Sequence, residues 1–159
     1  MRFAVSDWPD LSGRLEEGGH VLPVRVYYED TDFTGIVYHG AYVRFFERAR
    51  SDFLRLMGIH HADMASGAHG ASLAFAVRSM TLDFQKPARI DDVLEVHTSL
   101  AEYKGARIRL DQLIHRGDEL LVSAAVTVAV ITGEGRPTRL PQILSERLQN
   151  HAPSENIDN

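Results

Sequence analysis

The sequence contains no cysteine. Its absence excludes a disulfide framework, a thiolate nucleophile and a cysteine-ligated zinc site, and it is typical of a protein from a reducing compartment. No uncharged apolar run is long enough to cross a bilayer, and the first ten residues lack the apolar core of a signal peptide. We therefore expect a cytoplasmic protein.

The sequence also has no excess of basic over acidic residues. The 17 Lys and Arg residues are outnumbered by 22 Asp and Glu residues, which gives a formal net charge of −5. Because nucleic-acid binding requires a basic face, we expect no nucleic-acid partner, although a local basic patch for a phosphorylated ligand is compatible with this charge. The length of 159 residues fits one domain with a substantial core.

The apolar periodicity divides the chain into one strand, one long helix and four further strands. Alternating apolar residues predict strands over 21–29, 73–84, 92–103, 106–116 and 119–132, and spacings of three and four predict helices over 40–57 and 141–149. The last four strands are interpreted as a meander, and the nearly all-apolar run 119–132 as a strand that is buried on both faces. Residues 1–20 are expected to form a flexible N-terminal arm, residues 21–150 a single domain, and residues 151–159 a disordered tail.

The long helix is unusually apolar. Tyr42, Phe45, Ala49 and Phe53 form one stripe, and neighbouring apolar residues widen it. A helix of this kind is wrapped by other elements, so we expect an α+β fold in which an antiparallel sheet of about five strands curls around one central helix, the hotdog fold. On its polar side Glu47 with Arg50, and Arg48 with Asp52, have the spacing of helix-surface or interface ion pairs.

The junction between the first strand and this helix carries two carboxylates, Asp30 and Asp32, followed by Gly35 and His39. A carboxylate that faces a helix N-terminus is half of an acyl-transfer site, because unpaired N–H groups there can stabilise an oxyanion. Asp32 could attack a carbonyl, activate a water molecule, or only cap a turn. Asp30 is interpreted as structural support for the loop.

These residues resemble a known family, the hotdog acyl-CoA thioesterases of the 4-hydroxybenzoyl-CoA thioesterase type, and most of all the branch associated with the Tol–Pal system. The resemblance covers about residues 22–143. It is carried by Phe45 to Arg50, by Phe84, Pro87, Ala88, Asp91 and Asp92, and above all by Tyr28, Asp30, Thr31, Asp32, Gly35, Val37, Tyr38, His39 and Tyr42.

The resemblance implies hydrolysis of an acyl-CoA thioester to free acid and CoA, without a metal or redox cofactor. It implies that Asp32 is the base or nucleophile, that the backbone N–H of His39 is an oxyanion donor, and that Tyr38 lies beside it. For the His39 side chain two alternatives stay open, orientation of the acyl group or water and simple packing against the loop. It further implies a homodimer or homotetramer with active sites between subunits, and an association with envelope or lipid-synthesis proteins.

Several other residues are candidates for contact with the substrate. Tyr28, Gly35, Tyr38 and Tyr42 are assigned to the acyl site, with core packing as the alternative for Tyr28 and Tyr42. Basic side chains near turns are candidates for the CoA phosphates, with plain solvation as the alternative; they are Lys86, Arg89, Lys104 and Arg107. His60, His61 and His69 do not match a metal-binding spacing, so no metal site is assigned.

Two rival functions are considered. One is a hotdog dehydratase acting on hydroxyacyl thioesters, although the second helical acid that such enzymes carry is not found here. The other is a non-catalytic acyl-CoA-binding protein, or a scaffold for envelope or lipid-synthesis proteins, which would bind the ligand without turnover.

Overall fold

A computed structural model describes residues 8–151. The strands are β1 (Arg14–Glu16), β2 (Gly19–Arg25), β3 (Leu73–Phe84), β4 (Val93–Lys104), β5 (Arg107–Arg116) and β6 (Glu119–Thr132). The helices are α1 (His39–Leu56), α2 (His61–Ala65) and α3 (Gln142–Gln149), and a short 3₁₀ turn covers Tyr28–Asp30.

The six strands form one antiparallel sheet in the order β1-β2-β4-β5-β6-β3, and α1 packs on one of its faces. Phe45, Phe46 and Phe53 of α1 are fully buried, and they lie in one core with alternate residues of the strands. Burial of three aromatic side chains on one helix follows from its wide apolar surface. The predicted α+β hotdog fold is confirmed.

Two details of the predicted sheet are wrong. The strands after the helix do not form a simple meander, because β3 pairs with β6 and lies at the sheet edge. Residues 119–132 form a strand as predicted, but its outward-facing residues Ser123, Ala125 and Thr127 are partly or largely exposed. Their small side chains make the run look continuously apolar, although only one face of the strand is covered.

The N-terminal region is more ordered than the sequence suggests. Residues 1–7 of the predicted arm lie outside the described residues, but Arg14–Glu16 pairs with β2, and β2 already begins at Gly19. His20 is buried against the ring of Phe53, with 5.7 Å between ring centroids, and its Nε2 lies 2.7 Å from the carbonyl oxygen of Ser12. The interpretation of residues 14–20 as part of a flexible arm is therefore wrong. It failed because a three-residue strand and a single buried histidine show no alternation of apolar residues.

The C-terminal tail predicted for 151–159 falls, apart from His151, outside the described residues. Within residues 8–151, no helix has the length and apolar character needed to cross a membrane.

Candidate functional site

The loop that carries Asp32 is closed by its own backbone. The N–H of Asp32 donates to the carbonyl of Ile36 at 3.1 Å, and the N–H of Gly35 donates to the carbonyl of Asp32 at 3.0 Å. Gly35 has φ +82°, and a Cβ there would contact nothing within 4 Å. The left-handed turn, rather than close approach of another group, is therefore the reason for glycine at this position.

Asp32 presents an ionised carboxylate at the surface of this loop. Its side chain is exposed, and Oδ1 accepts hydrogen bonds from both the backbone N–H of Thr34, at 2.8 Å, and the Thr34 hydroxyl. The Thr34 hydroxyl, with the Thr34 N–H as the smaller contribution, lowers the pKa of Asp32 below its usual value. Oδ2 has no hydrogen-bond donor among the described residues and can face a ligand.

The neighbouring acid has a structural role. Asp30 is buried, its Oδ2 accepts the backbone N–H of Tyr27 at 2.9 Å, and its Oδ1 lies 3.5 Å from Nη2 of Arg44. Its carbonyl also accepts the N–H of Tyr38 at 2.9 Å. Asp30 thus connects the 3₁₀ turn to the start of α1 and leaves Asp32 as the accessible carboxylate.

The first turn of α1 leaves two donors open. Ala41 N–H donates to the carbonyl of Tyr38 at 2.8 Å, whereas within residues 8–151 the N–H groups of His39 and Gly40 have no acceptor. These are the orphan donors expected at a helix N-terminus. The N–H of Tyr38, which the sequence places beside the oxyanion donor, is already used by Asp30.

Gly40 was not identified from the sequence as a site residue. A Cβ at Gly40 would come within 2.6 Å of the ring of Tyr38, which covers this turn. The ring of Tyr38 in turn packs on that of His39, with 4.3 Å between centroids. Glycine therefore allows the ring of Tyr38 to pack against Gly40, a packing requirement that the sequence alone does not reveal.

Asp32 and the helix start share one open cleft of about 380 Å³. Its lining is made by Asp32, Ile36, Val37, His39, Tyr42, Phe84, Gln85, Lys86 and Pro87. Tyr42 lies on the boundary between core and cleft: it is buried, its hydroxyl accepts the Ala88 N–H at 3.0 Å, and its ring lies 5.8 Å from that of Phe84. Burial raises the pKa of Tyr42, so the phenol stays protonated and can also donate to a ligand.

The remaining candidates for contact with the substrate lie in different parts of the fold. Lys86 lines the cleft and pairs with Glu119 at 3.4 Å, and Arg89 forms an isolated backbone bridge with Ile36 behind the loop. Tyr28 is 83% exposed and is not part of the cleft lining.

Lys104 and Arg107 lie at the other end of the sheet. The length of β4, from Val93 to Lys104, spans about 36 Å. There they line a basic groove of about 620 Å³ together with Arg78, Arg109 and Arg139. The four basic residues suggested for CoA therefore do not converge within one chain.

The described part of the chain contains no cluster of three His, Asp or Glu side chains placed to hold a metal ion. His61 instead begins α2, with Nε2 at 3.3 Å from the Ser51 hydroxyl.

The family relationship is clear from comparison with known proteins. A profile described as "Thioesterase-like superfamily" matches residues 26–148. The chain is 39% identical over 127 residues to "Acyl-CoA thioesterase YbgC" of Haemophilus influenzae, covering 79% of this chain and 91% of that protein. It is also 39% identical over 122 residues to "Acyl-CoA thioester hydrolase YbgC" of Escherichia coli O6:H1, covering 76% and 88% respectively.

A solved structure agrees with this relationship. The crystal structure titled "Probable Thioesterase from Bartonella henselae" superimposes with a TM-score of 0.75 at 46% identity, covering 77% of this chain and 99% of that one. The family predicted from the sequence motifs is confirmed: the chain belongs to the Thioesterase-like superfamily.

Proposed function

We propose that this protein hydrolyses acyl-CoA thioesters to a free carboxylic acid and CoA. The observation that carries the proposal is a single cleft lined by an ionised, exposed Asp32 and by His39, the first residue of α1, whose N–H has no acceptor among the described residues. Its relatives in H. influenzae and E. coli are named as enzymes of this activity. A thioester carbonyl is a reactive acyl group, so a carboxylate and oxyanion donors are sufficient machinery.

Two routes use the same residues. In the nucleophilic route, Oδ2 of Asp32 bonds to the thioester carbon, the carbonyl oxygen takes the negative charge, and the C–S bond breaks to release CoA as its thiolate. Water then hydrolyses the mixed anhydride to free acid and regenerates the carboxylate. In the general-base route, Asp32 removes a proton from water as the hydroxide attacks the same carbon. The C–S bond then breaks, and CoA leaves as its thiolate and takes up the proton that Asp32 releases. In both routes the N–H groups of His39 and Gly40 hold the oxyanion.

The sheet edges support an oligomer. β1, at one edge, has three residues, whereas β3, at the other, has twelve, and among its side chains Val77 and Phe84 are 51% and 50% exposed. A long apolar edge strand is usually covered by another chain, so a homodimer that joins along β3 fits this surface. Lys86 and Arg89 then serve CoA at their own cleft, and Lys104 and Arg107 contact CoA held in another copy of the chain.

The test is release of free thiol from short, long and aromatic acyl-CoAs by wild type and by Asp32→Asn. We expect the substitution to slow thiol release by about 10²–10⁴-fold with only a small change in the free energy of unfolding, because Asp32 is exposed and the Asn oxygen can still accept from Thr34. Asp111→Asn, on the exposed outer side of β5, is the matched control and should retain activity.

Equal rates for wild type and Asp32→Asn would rule out this mechanism. Tight acyl-CoA binding by wild type with no thiol released would favour the non-catalytic alternative, and loss of water from a hydroxyacyl-CoA with the thioester intact would favour a dehydratase.

A further inference from the structure

The two carboxylate oxygens of Asp32 have different surroundings. Oδ1 accepts two hydrogen bonds, from the backbone N–H of Thr34 at 2.8 Å and from the Thr34 hydroxyl, whereas Oδ2 has no donor among residues 8–151. Thr34 does not line the Asp32 cleft, and it is exposed. Asp32 therefore has one oxygen free for the substrate and one oxygen that is held by Thr34 on the solvent side of the loop.

The two donors of Thr34 are held in place by the loop itself. Thr34 lies inside the turn that is closed by the hydrogen bond from the Gly35 N–H to the carbonyl of Asp32, at 3.0 Å. Its branched side chain restricts rotation about χ1, which keeps the hydroxyl close to the oxygen that the N–H contacts. Donors fixed on one oxygen in this way need little reorganisation when negative charge develops there.

We propose that Thr34 forms a second oxyanion site, at which water attacks the side-chain carbon of Asp32 rather than the acyl carbon of the substrate; the proposal rests on the proposed function and on its nucleophilic route. In that route Oδ2 of Asp32 carries the acyl group as a mixed anhydride, so Oδ1 is the carbonyl oxygen of the aspartyl half. The Thr34 N–H, at 2.8 Å, already lies at the distance that stabilises an oxyanion, which is about 2.7–3.1 Å.

Hydrolysis at this carbon exchanges one oxygen of Asp32. The oxygen of water bonds to Cγ, and Oδ1 takes the negative charge and keeps the hydrogen bonds from Thr34. The C=O bond then forms again, the bond between Cγ and Oδ2 breaks, and the acyl group leaves as a carboxylate that keeps Oδ2. Asp32 retains Oδ1 and the oxygen from water. One proton of the water neutralises the CoA thiolate, and the other passes to the solvent.

Exposure and acidity both favour attack at Cγ of Asp32. Asp32 and Thr34 are exposed, so water reaches Cγ from the surface, whereas the acyl carbon of the proposed intermediate lies in the cleft. The Thr34 hydroxyl, followed by the Thr34 N–H, lowers the pKa of Asp32. A simple alkyl carboxylic acid is weaker than an aspartyl side chain even before that shift, and nucleophiles prefer the carbonyl of an anhydride that derives from the stronger acid.

The test follows oxygen through a single turnover. The full wild-type chain is kept in excess over one acyl-CoA in water labelled with oxygen-18, and mass spectrometry is applied to the released acid and to a proteolytic peptide that contains Asp32. We expect the acid to be unlabelled, because its oxygens come from the thioester and from Oδ2, and the peptide to gain one labelled oxygen. With acyl-CoA in excess, later turnovers should release labelled acid, since Asp32 then passes the label on.

Two variants test the part played by the hydroxyl. Thr34→Val removes the hydroxyl and keeps the N–H, and Thr34→Ser is the matched control that keeps both donors. We expect Thr34→Val to release about one equivalent of thiol per Asp32 in a fast burst and then to turn over at least tenfold more slowly than wild type, because breakdown of the anhydride loses an oxyanion donor. Thr34→Ser should resemble wild type in both phases.

The possible outcomes separate this proposal from the proposed function. Labelled acid in the first turnover, with an unlabelled peptide, would overturn the role of Thr34 and leave thioester hydrolysis intact, since water would then have attacked the acyl carbon. A folded Thr34→Val protein without a burst would also overturn it, because a merely displaced Asp32 slows both phases. If that variant does not fold, the oxygen label in wild type decides alone. Absence of thiol release by wild type would instead refute the proposed function.

Discussion

The backbone N–H of His39 can be removed without removing the helix. His39 is the first residue of α1, and within residues 8–151 its N–H has no acceptor. Proline is favoured at this helical position, where the missing N–H is unpaired in any case. The preceding residue, Tyr38, has φ −66° and ψ 136°, a conformation that proline accepts in its predecessor. His39→Pro therefore deletes the proposed oxyanion donor, together with the imidazole, and leaves the helix in place.

The expected effect of His39→Pro on stability is much smaller than its expected effect on kcat. No hydrogen bond within the described residues is lost, and the lost contacts of the His39 ring with Tyr38 and Phe84 oppose the gain from a stiffer unfolded chain, so the free energy of unfolding should stay within about 1 kcal/mol of wild type. Loss of one oxyanion donor costs about 10²–10³ in kcat, or about 2.7–4 kcal/mol of barrier. The N–H of Gly40 remains and accounts for the residual rate.

His39→Ala is the matched control, because it removes the imidazole but keeps the N–H. Thiol release from one acyl-CoA is measured for both variants, with unfolding in denaturant measured in parallel. We expect His39→Pro to be slower than His39→Ala by the factor given above. Equal rates for the two stably folded variants would refute the assignment of the His39 N–H, and an equal large loss in both would assign the effect to the imidazole.

Two further predictions concern the Asp32 loop. Thr34→Val removes the hydroxyl that lowers the pKa of Asp32, so the acid limb of the kcat/KM profile for thiol release should move to higher pH; an unmoved limb would show that Asp32 does not set it. Gly35→Ala must adopt φ +82° with no steric contact at its Cβ, so it should lower the free energy of unfolding by about 1–2 kcal/mol; a neutral effect in denaturant unfolding would show that the loop relaxes.

Local patterns in the sequence were sufficient for much of the fold. The helix predicted over 40–57 is observed at His39–Leu56, and the last strand is observed at the predicted residues. Spacing of apolar residues reports which side of an element is buried, and this is a property of a short window. The family resemblance similarly depended on one short, dense motif around Asp32.

The errors have a common origin in contacts between distant parts of the chain. β3 pairs with β6 rather than with the next strand, and Arg50 contacts Gln112, 62 residues away. Neither the strand order nor a helix-to-sheet hydrogen bond leaves a signal in local spacing. The ion pair predicted between Glu47 and Arg50 shows this well, because the spacing is correct for a helix surface, but packing buries one partner.

The sequence by itself determined the family and the helix and strand content, because these depend on residue type and short-range order. Only the tertiary structure decided that Asp30 is held by hydrogen bonds within the loop and that Arg50 is buried beside Gln112. It also decided that the N–H of Tyr38 is paired, whereas those of His39 and Gly40 have no acceptor within residues 8–151. Hydrogen-bond occupancy and burial depend on what the rest of the chain places nearby, and that information exists only after the sheet has closed around the helix.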